Sequence, residues 1–213
     1  MTYLEIVNKV LKRLREPTVA SVSENSYSSL IGDLVNVAKR EIEDAWNWST
    51  LRTTLTATTA PDLFNYVLRG AGTRFRVLEI INDTDNVFLY PRDSKWFERS
   101  LLMSPVQKGS PLYYNFNGVN TYGDTQVDVF PVPDGVYTLR FNVVMPQDDL
   151  TLDTEVVQIP YTLLIEGTLA RAIAERGEDG GTQDQEMRYR NMLADLIAIE
   201  AGTRPEETTW YPQ

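Results

Sequence analysis

The sequence predicts an α+β protein: an antiparallel four-helix bundle, an inserted β-rich, sandwich-like domain, and an extended C-terminal tail. Three observations carry that expectation. Residues Ser26 to Trp48 repeat apolar side chains at helical spacing, the period switches to strand-like alternation near residue 50, and helical period returns after Pro160. The expected boundaries are 1–50 and 155–202 for a discontinuous helical part, 51–147 for the β-rich insertion, and 203–213 for the tail.

The first helix is expected from about Tyr3 to Arg15. Thr2 and Glu5 have capping-box spacing, Leu4, Val7, Leu11 and Leu14 follow at helical steps, and Pro17 stops the helix. Its last turn is basic, which suits the negative end of the helix dipole. After the linker TVASVS comes the long amphipathic helix. Ser23, Asn25 and Ser26 offer cap oxygens, and Ile31, Leu34, Val35, Ala38, Ile42, Ala45 and Trp46 form one apolar stripe that needs a partner.

LRTTLTATT then begins the β region. LRTTLTAT, LFNYVL, RFRVLEII, NVFLYP, LYYNFN, TQVDVFP and VYTLRFNVV are short runs rich in β-branched and aromatic residues, separated by turn chemistry. Pro133-Asp134-Gly135 reads as a hairpin turn, Asn117-Gly118 as another turn, and Asp93 to Leu102 as a short helix capped by Asp93. Helical period resumes with Pro160 at a first helical position and a small-residue face of Gly167, Ala170 and Ala174. Gly177 ends that helix and GEDGG turns the chain. A final helix follows, with Thr182 and Gln185 at capping-box spacing and Tyr189, Leu193, Leu196 and Ile197 on its inner face.

Composition limits the chemistry. The 213 residues contain no cysteine and no histidine, which removes disulfides, thiolate nucleophiles, Cys/His zinc sites and imidazole acid–base catalysis. No apolar run approaches the ~18 residues of a membrane span, and the N-terminus lacks the apolar core of a secretory signal, so use in a cytoplasm is expected. The net charge of −10 disfavours simple binding to nucleic-acid backbones. Its distribution is uneven: positions 1–147 hold 16 acids and 15 bases, positions 148–213 hold 14 acids and 5 bases. At the other end Lys9, Lys12, Arg13 and Arg15 form a basic cluster. These charges serve either as solvated helix faces or as complementary patches between neighbouring copies.

Catalytic and metal motifs fail on inspection. Gly70-Ala71-Gly72 lacks the third glycine of a dinucleotide loop, where Phe75 stands. Asp83 and Asp85 open like a calcium loop, but Phe88 and Ser94 occupy positions that need glycine and glutamate, so a polar turn is the better reading. Acid pairs such as Glu41/Glu43 and Asp148/Asp149 leave a carboxylate-based hydrolase as an alternative with no pair singled out. Trp96, Tyr113, Tyr114, Phe116 and Tyr122 serve as core, as an interface or as the stacking platform of a carbohydrate-binding module. Trp210 and Tyr211 lie in an aperiodic tail, where large aromatics make sense if the tail docks on its own helices or on a partner.

The opening TYLEIVNKVLKRLREPTVASV, the segments IEDAWNWSTLRTT, INDTDNVFLYPR, YYNFNGV and DGVYTLRFNVVMPQDDL, and the close IEGTLARAIAERGEDGG with PEETTWY resemble the head-to-tail adaptor proteins of tailed bacteriophages. The likeness is to the short-tailed type also called tail tubular protein A, and it spans almost the whole chain. It implies a non-enzymatic virion component without cofactor or metal, assembled in the host cytoplasm and placed in the neck. The implied partners are the portal protein, a tail nozzle or tail tubular protein, further copies in a dodecameric ring, and double-stranded DNA passing through the channel unread. It also assigns Thr203 to Gln213 to portal docking; the residues themselves make Arg204, Trp210 and Tyr211 the candidate anchors there, and Lys9, Lys12, Arg13 and Arg15 the candidate inter-subunit contact towards the acidic last third. Another neck protein, a stopper or tail-completion protein, shares this outline.

Overall fold

In the computed structural model, which describes residues 1–177 and 181–203, a reciprocal cap starts the first helix, α1 (Tyr3–Arg13). The Thr2 hydroxyl accepts from the Glu5 N–H at 3.3 Å, and the Glu5 carboxylate accepts from the Thr2 N–H at 2.9 Å. α2 (Ser26–Ala45) starts the same way, with Asn25 as the cap and the Ser28 hydroxyl reaching back to it. The buried stripe of α2 carries Ile31, Val35, Ala38 and Ile42 but ends there, because Ala45 is exposed and Trp46 leaves the helix. Lys39 and Glu43, charged and fully buried, complete the face that the apolar pattern leaves unmarked.

A 3₁₀ turn, Ser49–Leu51, leads into a separate compact unit spanning Arg52–Met145. Its elements in order are β1 (Arg52–Thr58), β2 (Asn65–Val67), β3 (Arg76–Asn82), β4 (Val87–Phe88), β5 (Tyr90–Pro91), α3 (Ser94–Leu102), β6 (Tyr113–Val119), β7 (Thr125–Phe130) and β8 (Thr138–Val144). They make two four-stranded sheets, ordered β1-β8-β3-β4 and β2-β7-β6-β5, antiparallel except for the β5–β6 pair. Leu139, Phe141 and Val143 alternate inward along β8 and share a core with Ile80, Tyr66, Val127 and Val129, which packs the sheets face to face.

Three expectations for this region are corrected. The run NVFLYP is two strands, since Phe88 pairs in the first sheet and Tyr90 in the second. Pro133-Asp134-Gly135 is no hairpin: β7 and β8 lie in different sheets, and the residues between them carry the chain across. Gly118, at φ 79°, forms a bulge inside β6, where the register shifts between Phe116 and Val119. The turn itself follows at Asn120, whose N–H and side chain both bond to the Asp124 stretch.

The chain rejoins the helical unit, Met1–Leu51 plus the described residues from Pro146 onward, through a strap of irregular backbone, residues 146–160. Side chains of α2 hold it. The Lys39 ammonium donates to the Gln147 carbonyl at 2.5 Å and to the Glu43 carboxylate at 3.1 Å, and that carboxylate accepts from the Gln147 N–H at 3.2 Å. One turn earlier, the Asn36 amide pairs with both polar groups of Leu150, at 2.9 and 3.0 Å. Arg40 forms a two-point pair with Asp149.

After Pro160, which stands as the cap and not in the first turn, α4 (Tyr161–Arg176) runs through the middle of this unit against α1 and α2. Leu163, Leu164, Ile165, Thr168, Leu169 and Ala172 are buried around most of its circumference. Gly177, at φ 67°, ends it; residues 178–180 of the expected GEDGG turn lie outside the described residues. α5 (Thr182–Gly202) packs on α4, and Gly167 makes the approach possible: a Cβ there would stand 2.8 Å from the Tyr189 ring. The expected capping box of Thr182 and Gln185 is absent, because the Gln185 amide donates instead to Glu166 at 2.5 Å. Only Gln185 and Tyr189 of α5 are fully buried. In this unit α1, α2 and α5 each pack on α4, and α1 also packs on α2; the fifth helix, α3, belongs to the β unit.

Replacing Lys39 with Ala leaves the Glu43 carboxylate buried without its cation and is expected to cost about 3–5 kcal/mol in urea unfolding. Removing both charges together, as Lys39→Met with Glu43→Leu, is expected to cost clearly less. Equal losses would overturn the ion-pair account.

Candidate functional site

The basic end of α1 follows from its sequence, since Lys12 and Arg13 complement the carbonyl end of the helix. The structure divides the four basic candidates. The Lys9 ammonium lies 5.6 Å from the centre of the Tyr161 ring. Arg13 pairs with Glu166 on α4, so its charge is engaged within the chain. Lys12 and Arg15 are exposed and have no ion-pair partner among the described residues. Arg15 follows the helix with φ 60°, a left-handed conformation that costs a side chain about 1–2 kcal/mol.

The acidic last third of the chain is partly answered in the same way. Glu166 accepts from Arg13 and from Gln185; burial raises its pKa, but these two hydrogen bonds and the Arg13 charge outweigh burial and hold the carboxyl below its ordinary value. Arg171 pairs with Glu41, which also accepts from the Tyr189 hydroxyl at 3.0 Å. Arg176 reaches Glu16 at 2.5 Å and the Tyr27 hydroxyl at 2.7 Å. Complementary charge from the two ends of the sequence therefore meets inside one chain at three places. The outward remainder is Lys12 and Arg15.

A second feature lies near the start of α1. Tyr3, Val22, Ser29, Asp33, Leu152 and Asp153 line an open groove between α1, α2 and the strap. The Tyr3 side chain is 4% exposed, and its hydroxyl has no hydrogen-bond partner among the described residues. It sits over Gly32, where a Cβ would stand 2.4 Å from the hydroxyl oxygen. Burial, then the charges of Asp33, Asp153, Asp149 and Glu155, push its pKa up to about 12.

Other candidates resolve into structure. Trp96, Tyr113 and Phe130 meet edge to face, with ring centres 5.0 and 5.3 Å apart, and the Arg92 guanidinium covers Tyr113 at 4.8 Å. They fasten α3 to its sheet, while Tyr114 and Phe116, two residues apart on β6, pack into the inter-sheet core. Of the five aromatics offered as a stacking platform, Tyr122 alone projects freely, 91% exposed. Asp83 pairs with Arg140 in a polar turn, and Glu41, Glu43 and Asp149 each face a cation. Among the described residues no group of acids gathers to hold a metal ion, and no helix is long and apolar enough to cross a membrane. Arg204, Trp210 and Tyr211 lie outside the described residues.

Sequence reasoning missed Glu166, which takes Arg13 out of any surface patch, and it missed the groove. Both depend on residues far apart in the chain, and no local spacing signals them.

The described residues thus present a helical unit with outward charge at one end of α1 and an acidic groove at the other, and an inserted sandwich. A family model, SU10 adaptor protein, matches residues 1–211, and the chain belongs to that family. It is a bacteriophage adaptor protein, a structural component of the virion. No curated protein matches the chain.

A carboxyl whose pKa falls on folding adds stability above its unfolded pKa, and that stability is lost as pH falls through the folded value. Glu166→Gln is therefore expected to unfold more easily than the wild type at pH 7, with the gap closing as pH drops through the carboxylate range. A gap independent of pH would show that the Arg13–Glu166–Gln185 cluster acts by shape alone.

Proposed function

We propose that this protein is a head-to-tail adaptor of the tail tubular protein A type found in short-tailed phages. It forms a dodecameric ring beneath the portal, extends the DNA channel and provides the platform on which the tail nozzle or a tail tubular protein assembles. The observation that carries this reading is the family match across residues 1–211, which includes helical unit, insertion and tail alike. A ring of identical subunits needs two different complementary faces on each copy. The outward charge of Lys12 and Arg15 against the acidic last third of the chain supports such a pairing. A net charge of −10 suits a channel component, because an acidic wall repels phosphates and lets the duplex pass without adhering.

Portal docking is assigned to residues 203–213, with Arg204, Trp210 and Tyr211 as the anchors. The two aromatics supply the large contact area typical of binding anchors, and the arginine supplies a planar charged fork.

Sedimentation of the purified chain, alone and with the portal ring of the same phage, tests this reading. The full chain is expected to load onto the portal in ring stoichiometry, and a chain lacking residues 203–213 is expected to fail to load. A full-length chain that stays monomeric and ignores the portal would overturn the assignment.

A further inference from the structure

We propose that successive copies meet through the two ends of α1, with Arg15 of one copy seated in the groove around Tyr3 of the next. The inference rests on the ring reading and names the contact that would build the ring.

The groove fits one kind of occupant. Asp33 is exposed and has no ion-pair partner among the described residues, and Asp153 stands across from it with one oxygen accepting from the Val22 N–H at 3.1 Å. Tyr3, 4% exposed, lines the same groove, and no described residue hydrogen-bonds its hydroxyl. Val22, Leu150 and Leu152 form apolar walls, and Leu152 is left 62% exposed. Acids with an unused hydroxyl at the bottom and aliphatic carbon at the sides call for a cationic head on an apolar stem. An arginine supplies both, with several donors for the two carboxylates and the phenol oxygen. The Tyr3 pKa is raised first by burial and then by the charges of Asp33, Asp153, Asp149 and Glu155, which face the same groove or stand beside it.

The occupant is present on the same chain. Arg15 is exposed, without an ion-pair partner among the described residues, and its left-handed backbone turns the chain just past the end of α1. Lys12 adds a second positive charge one turn earlier. α1 is 11 residues long, about 16 Å, and Tyr3 stands at its start and Arg15 beyond its end. One chain cannot bring the two together, but the next copy can. Because the two patches differ, the contact is head to tail, the form that propagates around a ring instead of closing a dimer.

The chain has no cysteine, which gives a clean background for crosslinking. Arg15→Cys and Asp33→Cys are made singly and together, at exposed positions, and treated with a short bismaleimide. The double variant is expected to give a ladder of dimers, trimers and higher species, and a mixture of the two single variants is expected to give dimer. In parallel, Arg15→Glu is expected to weaken assembly about tenfold or more, and Asp33→Arg in the same chain is expected to restore it. Circular dichroism matching the wild type keeps these effects on the interface. A wild-type ring whose double-cysteine variant yields no ladder, and whose assembly ignores Arg15→Glu, would overturn this contact while leaving the ring intact. A wild type that remains monomeric beside the portal, with no crosslinked species, would overturn ring and contact together.

Discussion

The helical unit depends on one face of α2 that holds the strap mainly by its backbone groups. Asn36, Lys39, Arg40 and Glu43 recur at three- and four-residue steps, so they stand on one side of the helix, and all four bind the strap. The strap has no ladder of its own, and its peptide groups have to be satisfied from outside. Asn36 meets both polar groups of Leu150, and the Lys39–Glu43 pair meets both polar groups of Gln147. The Gln147 side chain then bonds the backbone at Val156 and Gln158, and the strap delivers Asp153 and Glu155 to the first residues of α1. Loss of the buried pair removes the attachment at Gln147 and leaves those made by Asn36 and Arg40.

Charge in this protein works at two depths. The Lys39–Glu43 pair is fully enclosed, so its value lies in specifying where the strap sits more than in net stability. The pairs Arg13–Glu166, Arg171–Glu41 and Arg176–Glu16 are partly exposed, and each contributes about 0–1 kcal/mol. What these pairs do is tie the first two helices to α4 at three separate points. They also empty the surface of charges that a reader of the sequence would assign to a partner. The acids and bases left unanswered are therefore more informative than the total.

Much of the framework is legible in the sequence, and the reasons are local. Capping at Thr2 and Glu5, the stop at Gly177 and the apolar stripe of α2 follow from spacing and backbone chemistry that act within a turn or two. The errors fall where distant residues decide. Proline, aspartate and glycine at 133–135 mark a change of direction, but whether the chain pairs with itself or crosses to another sheet depends on the partners of β7 and β8. The central place of α4 is hard to read from the sequence, because a helix buried on nearly every side shows little amphipathic contrast and gives a weak periodic signal. Arg13 reads as an outward charge because nothing within a few residues reveals Glu166, the carboxylate waiting on another helix.

The insertion carries one more consequence. β1 and β8 are neighbours in register, with Arg52 directly opposite Val144, so the chain enters and leaves the sandwich through the two adjacent strands of a stem. In an antiparallel pair such residues lie about 5 Å apart, a gap that a short loop spans. The sandwich is thus an insertion whose two chain connections, after Leu51 and before Pro146, leave from adjacent strands. Such an insertion can be exchanged or resized through two joints in the chain without breaking any helix of the other unit.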